Sequence, residues 1–251
     1  MNYLKKTFLP FLLILSVESL LGHDLEKAID SPDRTPAYAA RDNYRNPLET
    51  LQFFGIEQDM TVVELNPGGG WYTEILANYI HYPGTLIAAS GSYYTEKFNK
   101  KMDSNPMYGR VELVNLKSSL ADPDSVDAIV TFRNLHNWLG EPMDDIFKSS
   151  FKALKKGGSF GVVEHRAKPG TSLEDMKSSG YVTEKLAIET AKRAGFELIA
   201  KSEINANSKD TKDYEKGVWT LPPRYRLGEK DKQKYSDIGE SDRMTLLFRK
   251  P

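Results

Sequence analysis

The stretch Glu64-Leu65-Asn66-Pro67-Gly68-Gly69-Gly70-Trp71-Tyr72 follows an apolar, β-branched run, Val62-Val63. Its residue types suit chemistry that a plain turn does not need. A carboxylate at the mouth of a strand can hold a cationic amino group, directly or through water. Glycines in succession let a ligand lie against the main chain, because no Cβ intervenes. The helix that follows begins with free N–H groups. Strand, acid, glycine bend and helix, in that order, is how a Rossmann-like sheet builds a nucleotide pocket.

Two further clusters fall where such a sheet would use them. Arg133-Asn134-Leu135-His136-Asn137-Trp138 follows an apolar run and is expected at the carboxyl edge of a strand, where ligands of open α/β sheets bind. An imidazole there, His136, can accept a proton near neutral pH. Glu164-His165-Arg166 ends another expected strand on the same edge, which would bring a second imidazole to one pocket. A metal site is not expected: the chain has four histidines and no cysteine, and no histidine pair has helical ligand spacing. Arg41, Asp42 and Arg45 precede the first helix of the domain and can close over a pocket or form a solvated ion-paired face.

The elements that must position these groups read as alternating strands and helices. Strands are expected at 61–65, 85–89, 111–114, 126–132, 159–164, 196–201 and 244–249. Tyr72, Ile75, Leu76, Tyr79 and Ile80 fall at helical spacing after the glycines, and further helices are expected at 96–102, 142–154 and 183–194. Asn46-Pro47-Leu48-Glu49 carries the marks of a capped helix start. The reading is therefore α/β: a Rossmann-like, seven-stranded, mostly parallel sheet with helices on both faces. The last two strands lack a crossover helix between them and are expected to pair antiparallel as a C-terminal hairpin. Residues 202–242 between them form a long charged insertion carrying Trp219, Arg224 and Tyr225, read as a lid that contacts substrate. Glu240-Ser241-Asp242-Arg243 reads equally as an ion-paired strand entry.

Bulk properties narrow the field. At 251 residues the chain can hold one large α/β domain, here 46–251. A formal net charge of −1 gives no bulk attraction to nucleic acid. Lys5 and Lys6 precede the apolar run 8–17, so residues 1–22 read as an export signal and point to the periplasm. The alternative is a retained N-terminal anchor, with membrane contact through that segment. Residues 23–45 read as a polar arm into the domain.

The chain resembles the class I S-adenosylmethionine-dependent methyltransferases, and more narrowly a bacterial group of exported predicted methyltransferases. The resemblance rests on residues 64–74, 132–138 and 238–244 and covers the chain from about Arg41 onward. It implies S-adenosyl-L-methionine as cofactor, with Glu64, Asn66, Pro67, Gly68, Gly69, Gly70, Trp71 and Tyr72 around its methionine part. Ser90, Arg133 and Asn134 would complete the cofactor contacts. It implies methyl transfer to a small-molecule or lipid-like acceptor, with His136 and His165 as the catalytic candidates and Arg41, Trp219, Arg224 and Tyr225 on the substrate. Two departures from the class stand out. Asn66 occupies the usual first glycine, and Ala88-Ala89-Ser90-Gly91-Ser92 supplies no carboxylate after the second strand, leaving Ser90 or the main chain to meet the ribose.

Two other functions stay open at this point. A nicotinamide-dependent oxidoreductase shares the sheet, but its fingerprint wants a glycine at 66 and an acid after the second strand. A non-catalytic ligand-binding module derived from a methyltransferase is compatible with the same residues. Neither the acceptor nor the oligomeric state is readable from the sequence.

Overall fold

The computed structural model describes residues 18–91 and 95–251. Most of the expected leader, and Ser92, lie outside the described residues. In chain order the helices are α1 (Glu18–Ile29), α2 (Pro36–Ala39), α3 (Pro47–Phe53), α4 (Trp71–Tyr79), α5 (Thr95–Met102), α6 (Glu141–Ala153), α7 (Leu173–Ser179), α8 (Glu184–Ala194) and α9 (Lys232–Ile238). The strands are β1 (Thr61–Leu65), β2 (Thr85–Ser90), β3 (Val111–Asn115), β4 (Val126–Phe132), β5 (Leu154–His165), β6 (Glu197–Ser202) and β7 (Arg243–Arg249). Among the described residues, no helix is long and apolar enough to cross a membrane.

The seven strands form one sheet in the order β3-β2-β1-β4-β5-β7-β6. The first five run parallel, and β7 lies antiparallel between β5 and β6. This is the expected sheet, hairpin included. Side chains alternate across it, so adjacent residues serve opposite cores. Val62, Leu86, Ala128 and Val130 pack with α1, α3 and α4 on one face. Val63, Ile87, Ile129 and Phe160 pack with α6 and α8 on the other. Strands buried on both faces read as continuous apolar runs, which is why β1 and β4 stand out in the sequence. Close packing has a local demand at Gly161 of β5, where a Cβ would sit 2.5 Å from the ring of Phe54.

Four departures from expectation have physical causes. Strand β5 begins at Leu154, earlier than expected, because residues 154–158 continue directly from α6 as strand. Helix α7 was not expected; Ser172 caps it by accepting from the Asp175 N–H. Asn46 does not cap α3. It adopts a left-handed φ of 41° and donates its side-chain amide to the Ile204 carbonyl at 2.7 Å instead. The segment expected as a polar arm contributes α2 and much of α1, with Leu25 and Ala28 in the core beside α4. Its sequence looks polar because only one narrow face of α1 is buried.

Candidate active-site crevice

The strand order reverses direction of progress between β1 and β4, and the crevice opens at their carboxyl ends, the usual ligand position in such sheets. Both strands leave the sheet through residues with left-handed backbone, Asn66 at φ 50° and Arg133 at φ 61°. Asparagine tolerates that conformation better than most side chains, which accounts for its presence where a glycine is usual. Its side chain then does something no glycine can. Asn66 Nδ2 donates to Asn134 Oδ1 at 3.0 Å, and Asn134 Nδ2 donates to the carbonyls of Leu65 and Asn66 at 3.1 and 3.2 Å. The two strand ends are thereby tied across the opening.

The crevice has two halves that share Asn66 and Asn137. One is a cleft of about 650 Å³ between the ends of β2 and β3 and helix α6. Leu116, Trp138, Pro142 and Ile146 give it apolar walls, while Lys117, Glu141 and Asp145 stand at its edge. The other is a cleft of about 590 Å³ under residues 218–226. Pro67, Gly68 and Gly69 form its floor on one side, and Arg45, Arg133, His136, His165 and Arg243 line the rest.

The glycine bend is partly open. Gly68 sits at φ 61° with nothing within 4 Å of where a Cβ would be, so the space above it is free for a ligand. At Gly69, which stays exposed, Tyr38 Oη donates to the carbonyl at 2.9 Å and would collide with an added Cβ. Gly70 faces Lys101 and Phe98 rather than the crevice.

Several residues expected to meet the cofactor line neither half of the crevice. Glu64 lines neither half; it is buried and accepts from Thr73 Oγ1 at 2.5 Å. Burial pushes its carboxyl up to about 7, against the Thr73 hydrogen bond and the field of Arg133. It supports the glycine bend from beneath. Tyr72 is likewise buried, stacked on Phe132 with ring centroids 3.5 Å apart. Ser90 turns its hydroxyl to the Gly91 carbonyl and lines neither half. The acids lining the apolar half are Glu141 and Asp145 at the start of α6, two strands later than the usual place after β2. Trp71, Arg133 and Asn134 do line the arginine half.

The histidines meet as expected. His136 Nδ1 lies 3.1 Å from Glu164 Oε1, and the ring centroids of His136 and His165 are 5.4 Å apart. The fully buried Glu164 also accepts from the His165 N–H at 2.7 Å, and His165 Nδ1 contacts Ser241 Oγ at 2.5 Å. Burial, and next the neighbouring His136, hold the His165 imidazole well below the usual histidine range, so it is neutral at pH 7. The fold also gathers ligand atoms of His136, Glu164 and His165 within 4.8 Å of one another. That is a cation-capable cluster which sequence spacing could not reveal, since its members come from two segments and no helix carries the pair. Its internal hydrogen bonds already occupy the inward atoms, which makes it equally a carboxylate–imidazole pair.

Of the expected substrate contacts, Arg41, Trp219 and Arg224 line the arginine half. Tyr225 does not; its hydroxyl pairs with Ser236 at 2.9 Å. Arg166 points away to Asp242, Glu184 and Glu203. The residues missed by sequence reasoning are Glu240 and Arg243. Arg41 Nε reaches Glu240 at 2.6 Å, and Arg45 and Arg243 join the same carboxylate. Burial, the largest effect on Glu240, would raise its pKa, yet Arg243, Arg45 and Arg41 together pull it down to about 2. Glu240 and Arg243 pair with one another three positions apart, but the Arg41 and Arg45 partners that complete the cluster lie about two hundred positions away in the chain.

No protein-family model and no curated protein matches the sequence. Solved structures match by shape. A SAM-dependent methyltransferase from Aquifex aeolicus superposes at a TM-score of 0.56 and 17% identity, over 92% of this chain and 98% of that one. The [4+2]-cyclase SpnF superposes at 0.62 and 16%, over 92% and 93%. The geranyl diphosphate C-methyltransferase of Streptomyces coelicolor A3(2), solved with Mg2+, geranyl-S-thiolodiphosphate and S-adenosyl-L-homocysteine, superposes at 0.61 and 12%, over 89% and 84%. At these identities the likeness establishes the fold alone, a seven-stranded Rossmann-like sheet shared with these methyltransferases and the cyclase.

Proposed function

We propose that the chain transfers a methyl group from S-adenosylmethionine to a small-molecule or lipid-like acceptor. The observation that carries this reading is the division of the crevice: an apolar half, joined at Asn66 to a half that holds the open glycine bend and two imidazoles. The residues present fit the cofactor. Among the described residues the space over Gly68 is open, and a Cβ at Gly91 would meet only Asn66 Oδ1 at 3.8 Å. Leu116, Trp138 and Ile146 offer apolar walls for a purine, with Glu141 and Asp145 as acceptors for sugar hydroxyls. Related folds solved with S-adenosyl-L-homocysteine or SAM support the same assignment.

When bound, the cofactor supplies an electrophilic methyl group on a sulfonium, a good leaving group. The protein's remaining tasks are alignment and the exclusion of water. Glu164 holds His136 at Nδ1, which leaves Nε2 to take a proton from an acceptor oxygen or nitrogen. His165, neutral and fixed by Ser241, is a second acceptor of hydrogen bonds in the same half. Trp219, Pro222 and Pro223 line that half from the long insertion and restrict water there. The basic and apolar N-terminus supports export to the periplasm as part of the proposal; finding the chain in the cytoplasmic fraction would remove that part.

Titration calorimetry with S-adenosylhomocysteine, NAD+ and NADP+ tests the cofactor. One S-adenosylhomocysteine per chain, with no heat from either dinucleotide, is the expected result. Dinucleotide binding without S-adenosylhomocysteine binding would replace this reading with an oxidoreductase. Binding without turnover on any acceptor class would leave a ligand-binding module.

A further inference from the structure

Charge in the arginine half does not balance. Arg41, Arg45, Arg133 and Arg243 line it, while Glu240 is the single carboxylate among its lining residues. Arg45 and Arg243 are 3% and 2% exposed, so water cannot screen the surplus. Burying a guanidinium without a partner is strongly unfavourable, and native structures rarely tolerate it without a function. Yet Arg45 Nη1 and Arg243 Nε, both sealed from solvent, have no hydrogen-bond partner among the described residues, although the Arg45 guanidinium lies over the Trp71 ring at 4.6 Å from its centroid. The Arg133 side chain makes no hydrogen bond or ion pair with any described residue, although its backbone N–H is held by the Val163 carbonyl at 2.7 Å. Burial is the main cause holding Arg45 and Arg133 below the usual arginine range, and repulsion from neighbouring guanidinium groups adds to it.

We propose that this half of the crevice is a phosphoryl-binding site, formed by Arg133 with the Arg45 and Arg243 side chains that line the same half, and that the methyl acceptor carries the phosphoryl group. The second part rests on the methyltransferase reading; the first does not. A phosphoryl group is favoured over a carboxylate by charge. Four guanidinium groups facing one carboxylate leave a surplus that a monocarboxylate meets only in part and a di- or trianion meets more fully. Planar guanidinium forks match phosphate oxygens in geometry as well as charge. The rim continues the same character: Arg224 lines the opening, and Arg226 lies over the Trp219 ring at 4.3 Å from its centroid. The anion would then lie on the same side as His136, so anchoring it holds the acceptor in reach of the base.

The test is calorimetric titration of the full chain with inorganic pyrophosphate, inorganic phosphate and succinate at constant ionic strength, each with and without saturating S-adenosylhomocysteine. Pyrophosphate is expected to bind most tightly by charge, and succinate, a dianion without phosphate's oxygen geometry, least. Its affinity should be unchanged or improved by S-adenosylhomocysteine. Arg133→Gln should weaken pyrophosphate at least about tenfold, with Arg133→Lys recovering part of the loss, as a charged hydrogen bond is worth about 1.5–3 kcal/mol. Because the Arg133 side chain holds nothing in the fold, the variant is expected to stay folded. Glu240→Gln provides an independent sign: removing the internal competitor should tighten pyrophosphate.

Succinate binding as tightly as pyrophosphate would overturn the phosphoryl assignment. Pyrophosphate displaced one for one by S-adenosylhomocysteine would assign the array to the cofactor's own carboxylate and overturn it. No binding by any anion, or an Arg133→Gln variant indistinguishable from the parent, would also overturn it. If pyrophosphate binds and S-adenosylhomocysteine does not, the phosphoryl site stands and its assignment to a methyl acceptor falls.

Discussion

Two regions of the crevice are made in different ways. The region where its halves meet, around Asn66, Gly68 and Gly91, is made of main chain: strand ends, a bend with positive φ and an opening where a Cβ is missing. The half around Arg133, His136 and Glu240 is made of side chains from α3's approach, β4, β5 and β7, held by hydrogen bonds across 28 to 199 positions. A main-chain site recognises a shape common to many reactions, whereas a side-chain site carries the charge and proton chemistry of one. That contrast matches the comparisons, in which methyltransferases and a cyclase share the sheet.

The largest effect that would sharpen the contrast is at the base. His136→Ala is expected to lower turnover by about 10²–10⁴, the usual worth of a positioned general base, while S-adenosylhomocysteine binding stays within twofold or so. Equal losses in both would mean that the halves are not separable.

The next test concerns the support beneath the bend. The raised Glu64 pKa means the folded state binds a proton more readily than the unfolded chain. Its stabilising contribution is therefore full below the ordinary value of 4.5 and is lost as pH rises through about 7. Glu64→Gln should remove a decline in stability of about 3 kcal/mol between those limits, measured by urea unfolding at pH 4.5 and 8. A parent protein with no such decline would show that Glu64 is solvated or ion-paired, as a direct ligand contact would require.

Asn134→Ala acts on the joint between the halves. Loss of its amide leaves the Leu65 and Asn66 carbonyls without that donor and should destabilise the fold by about 1–3 kcal/mol, weakening both ligands together. The smallest effect is at Gly69 of the glycine bend. Tyr38→Phe removes the bond to the Gly69 carbonyl and should cost about 0.5–1.5 kcal/mol of stability, with turnover unaltered once cofactor saturates.

The sheet was readable because its signals are local. β1, β2 and β4 are β-branched or apolar runs bounded by turns, and the absence of a crossover before β7 gave the antiparallel pair its direction. Gly68 and His136 were readable for the same reason, since each follows a strand directly. Glu64 was misread in role: the motif fixes its position at the end of β1, but only packing decides that its carboxylate turns to Thr73. The Arg45–Glu240–Arg243 cluster was legible only in part: Glu240 and Arg243 read as an ion-paired strand entry and Arg45 as either a pocket closure or a solvated face, because neither segment reports the distant partner that buries it. Ser90 failed similarly, its hydroxyl satisfied by its own neighbour at Gly91.

The division of labour is tested most directly by a crystal structure of the chain with S-adenosylhomocysteine and pyrophosphate together. The adenine is expected against Leu116 and Trp138, the homocysteine over Gly68, and the pyrophosphate on Arg133. Adenosine among the arginines, or a glycine bend that excludes the ligand, would contradict the account.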